Sequence, residues 1–250
     1  MRKAGSDSRA VSEVVGYILI FSLIFTTVGL VSVAGIPTFD DARESEQKQN
    51  AERAFDVLNT NLAEVYDRGA PSRATELSAD DGTVETGDPI TFNVTVEDGS
   101  GITNSTEADI NPIIFSGLGR TKFVYEGGAV FRDQPDSDVM LREPPFKVTD
   151  DRVFLPLVET YSNSLQSTGG GTVLVRAEAT DRSVDIARES EQLNITVSNS
   201  PREAAWKRYF EEELGMSCTT GTDLDCGRAL DSSGTRTFVT NQEIRIILEI

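Results

Sequence analysis

Apolar and polar residues divide the chain into three stretches with different periods. The first has no period. Residues 1–13 are polar and carry Arg2, Lys3 and Arg9, and then no residue from Val14 to Phe39 is charged. The run Val14–Ile36 is 23 residues long; at about 1.5 Å per residue it spans the roughly 30 Å hydrocarbon core of a bilayer. Basic residues precede it, and Asp40 and Asp41 follow it. The positive-inside bias therefore places 1–13 in the cytoplasm and the rest of the chain outside the cell. A cleaved secretory signal is the competing expectation, because Ser32-Val33-Ala34 has small residues at both ends before a cut at Gly35. A signal's apolar core, about 7–15 residues, is shorter than this run. Gly35 and Pro37 predict a bend at the outer interface. Ser22, Thr26 and Gly29 share one helix face; small residues let membrane helices approach closely but are also common in such helices generally.

The second stretch has the period of a helix. Ala51, Phe55, Leu58, Leu62 and Val65 are spaced 4, 3, 4, 3, with Glu, Gln, Arg and Asn between them. This predicts an amphipathic helix over about 39–68, stopped by Gly69-Ala70-Pro71. Its stripe is expected to cover a sheet, since a coiled-coil seam needs more heptads than this.

From about residue 85 the period is two. Ile90, Phe92, Val94 and Val96 alternate with Thr91, Asn93 and Thr95; Leu193–Val197 and Ile244–Ile250 repeat the pattern. Phe123-Val124-Tyr125 and Ala129-Val130-Phe131, joined by Glu126-Gly127-Gly128, predict a hairpin. Val153–Val158 and Thr172–Arg176 are further strands. One short helix is expected after Ser200-Pro201, with Ser200 as N-cap, Glu203 completing a capping box, Trp206, Phe210 and Leu214 as its apolar face, and Gly215 at its end. Ser162–Gly171 and Ser217–Gly221 read as loops. The expected fold class is α+β. An N-terminal transmembrane helix (14–36) follows a cytoplasmic leader (1–13) and continues into an amphipathic helix (37–69). A mainly antiparallel β head (70–250), pilin-like or a β-sandwich, comes last.

Charge adds an environment. The 41 Asp and Glu outnumber 23 Lys and Arg, for a net charge of −18, and only Lys3, Lys48, Lys122, Lys147 and Lys207 are lysines. Such a surface disfavours nucleic acid, which requires clustered positive charge. It opposes compaction unless salt screens it, so a halophilic source is expected; an ordinary acidic protein is the alternative.

The chain has no histidine, which removes Ser-His-Asp and Cys-His nucleophiles and His-ligated metals. Cys218 and Cys226 flank a short polar loop and predict a disulfide in an oxidising compartment. Asn93-Val94-Thr95, Asn104-Ser105-Thr106 and Asn194-Ile195-Thr196 are N-glycosylation sequons. Asp133, Asp136 and Asp138 lack the spacing of a calcium loop and read as solvated. A carboxylate pair of the glycosidase kind is conceivable in so acidic a chain, but nothing singles one out. No catalytic, metal-binding or cofactor-binding residue is nominated, and no cofactor is expected.

The segment Arg9-Ala10-Val11-Ser12-Glu13-Val14-Val15-Gly16-Tyr17-Ile18-Leu19-Ile20 resembles the start of archaeal type IV pilins, with a basic leader, an Ala-Val-Ser motif and then a long apolar helix. The whole chain looks like a haloarchaeal family of pilin-like membrane proteins of unknown function. The resemblance implies a prepilin-type peptidase reading Arg9-Ala10 and cutting before Val11, leaving the apolar helix on the protein. Glu13 departs from that family's pattern, standing where Pro is usual. The function so implied is a pilin-like or pseudopilin-like surface subunit, non-enzymatic, single-pass, with its head outside the cell. Its partners would be the membrane, the peptidase and other pilin-like subunits. A monomeric anchored module binding a sugar, peptide or envelope protein is the alternative; a membrane-anchored hydrolase is a third class.

Overall fold

The computed structural model describes residues 7–80, 82–98, 100–117, 119–149, 151–163, 166–188, 190–230 and 235–250, with backbone only for 7–12, 33–41 and 103. The chain forms two compact units, Met1–Glu46 and Gln47–Ile250. Helix α1 runs from Asp7 to Tyr66 and contributes to both. The two predicted helices are thus one element, whose backbone is helical through Pro37. A helix-interior proline costs about 3 kcal/mol, and a long run of helix-forming sequence on each side offsets it. In the first unit, Glu13–Ser32 is a 20-residue helix long and apolar enough to cross a membrane.

The second unit holds the sheets. Its strands, in chain order, begin with β1 (Ser72–Ser78), β2 (Thr83–Thr86), β3 (Ile90–Asp98), β4 (Gly101–Ile110) and β5 (Ile113–Ser116). Next come β6 (Lys122–Glu126), β7 (Ala129–Gln134), β8 (Ser137–Arg142), β9 (Lys147–Val148), β10 (Arg152–Tyr161) and β11 (Ser167–Gly169). Then follow β12 (Thr172–Arg188), β13 (Gln192–Ser198), helix α2 (Glu203–Glu212), β14 (Ser217–Thr220), β15 (Leu224–Ala229) and β16 (Arg236–Glu249). They form three sheets, ordered β1-β12-β16-β10-β9, β11-β2-β5-β6-β7-β8 and β14-β15-β13-β3-β4. Among the described residues every ladder is antiparallel except β10 with β16, so the unit is α+β with mostly antiparallel sheets.

Two cores explain the sequence patterns. One packs Ala51, Phe55, Leu58, Leu62 and Val65 of α1 on Leu77, Phe123, Tyr125, Val158, Val175 and Ile246. The predicted stripe therefore lies inside the second unit, which starts at Gln47 rather than at residue 70. The other core joins β3, β4, β13 and α2 to Val124, Phe131, Val153, Leu155 and Leu157. Strands β6, β7 and β10 supply residues to both cores, so they are buried on both faces. This accounts for their continuous apolar runs, where β3 and β13, with one wet face, alternate.

The structure corrects three local expectations. Helix α2 starts at Glu203 with Arg202 as N-cap and no side-chain cap; the Ser200 hydroxyl accepts from the Arg202 N–H at 3.2 Å, ahead of the helix, and donates to Glu126 Oε1 at 2.8 Å. Residues 217–220 are strand β14 rather than loop, because they pair with β15. Residues 167–169, also read as loop, are strand β11, because they pair with β2. The helix end matches its signal: Gly215 has φ +61°, and the Met216 N–H donates to the Phe210 carbonyl at 2.9 Å.

Candidate functional site

The apolar part of α1 is the feature whose chemistry has no use inside its own unit. Its large side chains are exposed, among them Tyr17, Leu19, Phe21, Leu23, Phe25 and Leu30. Its two threonine hydroxyls are satisfied within the helix. Thr26 Oγ1 donates to the Ser22 carbonyl at 2.7 Å, and Thr27 Oγ1 to the Leu23 and Ile24 carbonyls at 2.9 Å. A helix whose threonines bond back to its own carbonyls and whose apolar groups face outward is chemically matched to hydrocarbon. The backbone of Arg9, Ala10 and Val11 is helical; their side chains lie outside the described residues.

The most elaborate side-chain site in the second unit is a buried ion pair. The β6–β7 hairpin turns on Gly127 and Gly128, with φ +60° and +89°, a geometry that two glycines adopt without strain. It sets Glu126 at the strand end, fully buried. Arg202 Nε donates to Glu126 Oε2 at 2.7 Å, and Nη2 donates to the same oxygen. Trp206 Nε1 donates to Oε1 at 2.7 Å, so the carboxylate accepts from Arg202, Trp206 and Ser200. Arg202 also lies 3.6 Å from Asp133 Oδ2. Edge contacts from Phe92 and Phe131 surround the indole. Sequence reasoning missed this cluster: Trp206 signals a buried donor that needs an acceptor, but no spacing links residue 126 to residues 200–206.

A cavity of about 380 Å³ opens beside it, lined in part by Lys122, Asp133, Arg202, Asp88 and Pro112. Asp133 and Asp138 face each other on the β7–β8 hairpin. Partial burial, then the neighbouring Asp133, hold the Asp138 carboxyl above the usual range against the pull of Arg202 and Arg208. The three-aspartate segment is therefore a hairpin tied to Arg202 and Arg208 rather than a free loop. Among the described residues no cluster of three or more His, Cys, Asp or Glu side chains is placed to hold a metal ion.

The other nominated residues scatter over the second unit. Cys218 and Cys226 are joined across β14 and β15, with Cα atoms 4.1 Å apart. Asn93 and Asn194 are diagonal neighbours on the outer face of β3 and β13. Asn194 Nδ2 donates to Glu97 Oε1 at 3.0 Å. Asn104 shares the inward side of β4 with buried Thr106 and Ala108, which leaves less room for a glycan.

Over residues 9–246 the chain matches a family model described as a family of unknown function (DUF7289). No curated protein and no solved structure matches the chain.

Proposed function

We propose, for a chain that belongs to the DUF7289 family, the function of a pilin-like or pseudopilin-like surface subunit of a halophilic archaeon. One observation carries this reading. A 20-residue apolar helix exposes its large side chains, in a chain whose second unit buries its own apolar stripe. The helix anchors the protein in the membrane, with residues 1–13 in the cytoplasm and Gln47–Ile250 outside the cell. A prepilin-type peptidase removes Met1–Ala10 and leaves Val11 first, so that the helix persists to bundle with those of other subunits. The second unit performs no catalysis.

Intact mass and N-terminal sequencing of protein from native membranes test the reading. Val11 as first residue, in the membrane fraction and dependent on the peptidase, is the expected result. A soluble protein beginning near Gly35 would overturn it, because the assembling helix would be gone. A membrane protein still beginning at Met1 or Arg2 would favour a simple anchored binding module.

A further inference from the structure

Three strands outrun the helix that covers them. Asn61 of α1 donates to the Ala74 carbonyl at 3.2 Å, and Glu64 pairs with Arg73. Since Arg73 stands opposite Ala177, α1 ends at Tyr66 close to that level, while β12 continues to Arg188. Beyond the helix, the same face of the sheet carries two rows, set by register. Phe154, Phe238 and Ile186 lie side by side; next to them lie Arg152, Arg236 and Arg188. Ile186 is 56% exposed and Val184 beside it 52%. None of the three guanidinium groups has a hydrogen-bond or ion-pair partner among the described residues. Like charges directly opposite on neighbouring strands destabilise a sheet, so the row calls for anions from elsewhere. Lys147, opposite Phe154, adds a cation at the end of the aromatic row, and Asp151, held by Thr149 Oγ1 at 2.8 Å, sits at the rim of the arginine row. A cavity of about 640 Å³ lies there, walled by Lys147, Arg152, Phe154 and Phe238.

An apolar centre with an arginine rim is the composition of a protein interface rather than of bare surface. We propose that this face docks a second copy of the chain through the acidic outer face of that copy's β4-β3-β13-β15 sheet. The inference rests on the reading of the protein as a subunit of an assembly. Charge complementarity selects the occupant. The chain carries −18 overall, and that outer face presents Asp109, Glu107, Glu97 and Asp225. Thr91, Asn93, Asn194 and Thr196 hold these carboxylates in place by hydrogen bonds of 2.7, 3.5, 3.0 and 2.8 Å. Neutral donors orient the carboxylates without cancelling their charge, and none of the four has an ion-pair partner among the described residues. Ile102, 66% exposed and opposite Glu97, gives that face an apolar residue to set against Phe154 and Ile186. The arginine row repels its own copy, so two arginine faces do not meet. The contact joins unlike surfaces, and unlike surfaces repeat into an open chain of subunits rather than closing into a two-fold dimer.

The test is co-purification of two differently tagged full-length copies from detergent-solubilised membranes. One variant is Arg152→Glu with Arg236→Glu; the other is Glu107→Arg with Asp109→Arg. Wild-type copies are expected to co-purify, and each variant by itself to recover at least tenfold less partner. Mixing the two variants should restore recovery, which also shows that both fold. Wild-type copies that do not co-purify, or variants that each co-purify like wild type, would overturn the inference. The same membrane preparations give the first residue of the protein. Val11 with no co-purification defeats this contact alone, whereas a start near Gly35 with intact charge-swap rescue defeats the anchor and leaves the contact standing.

Discussion

The two ends of helix α1 are both rich in apolar residues, yet they meet different fates. From Val14 to Val31 the large apolar side chains point outward from every side of the helix, and in the structure they are exposed. From Ala51 to Val65 the stripe residues Ala51, Phe55, Leu58, Leu62 and Val65 are each buried against the sheets, while Val57, off the stripe, is exposed. The difference lies in the period. A stripe at 4, 3, 4, 3 spacing is complementary to one flat surface and finds it within the molecule. A helix apolar all round has no polar face to give to water, so its solvent must itself be apolar. The contrast separates residues that stabilise the fold from residues that place the protein.

Substitution measures that separation most directly. Phe55→Ala, which empties a fully buried aromatic site, is expected to cost about 3–5 kcal/mol of unfolding free energy. Leu23→Ala should stay within about 0.5 kcal/mol, as exposed positions do. Denaturant unfolding of the full chain in mild detergent, followed by Trp206 fluorescence, reads both. A Leu23→Ala cost as large as that of Phe55→Ala would mean the apolar half has its partner within this molecule, and the contrast would collapse.

A buried charge extends the comparison to polar groups. Glu126→Gln keeps acceptor capacity for Trp206 and Ser200 but takes from the buried Arg202 guanidinium its hydrogen-bonded counterion, leaving it only Asp133 at 3.6 Å. Breaking a buried pair at one partner costs about 3–5 kcal/mol, and the retained acceptor places this variant near 3. Combining Glu126→Gln with Arg202→Met should cost less than Glu126→Gln alone, because no cation is then stranded and Trp206 and Ser200 keep their acceptor; a larger cost for the double variant would argue against that account.

The disulfide comes next in size. Closing a ring as small as that between Cys218 and Cys226 is worth roughly 2.5 kcal/mol by loop entropy. Replacing both cysteines by serine should lower the unfolding midpoint accordingly, and alkylation of unreduced native protein should find no free thiol.

How much of this was legible depends on how locally each feature is encoded. The stripe from Ala51 to Val65, the β6–β7 hairpin and the apolar face of α2 are short-range patterns, and they appear in the structure as read. Strand β12 was read only over Thr172–Arg176, because its outer half, Asp181–Arg188, is mostly exposed, mixes Val184 and Ile186 with charged residues, and pairs with β16 through register alone. Strands β1, β2, β5 and β8 were missed for related reasons: they are short, or take their partners from far along the chain. The Glu126–Arg202 pair and the arginine row are products of pairing. Arg152, Arg188 and Arg236 are unremarkable in sequence and become a row only when three strands align.

The smallest expected effect concerns Glu159, on doubly buried β10. Burial raises its carboxyl above the usual range, only partly offset by the Asn241 amide, and the nearby Glu243 and Asp109 push in the same direction as burial. An acid whose folded-state pKa is raised binds its proton more tightly folded than unfolded. Its contribution to stability is therefore greatest below the ordinary carboxylate range and is lost as pH rises through the folded value. At neutral pH the ionised Glu159 opposes folding. Glu159→Gln removes that charge and keeps an acceptor for Asn241 Nδ2, which donates to the native carboxylate at 2.6 Å. The variant should match the native protein near pH 4 and exceed it at pH 7, with a flatter dependence of melting temperature on pH between them. A variant less stable at pH 7 would show that Asn241 holds the carboxylate strongly enough to outweigh its burial, and that β10 tolerates charge on a face the apolar pattern marks as interior.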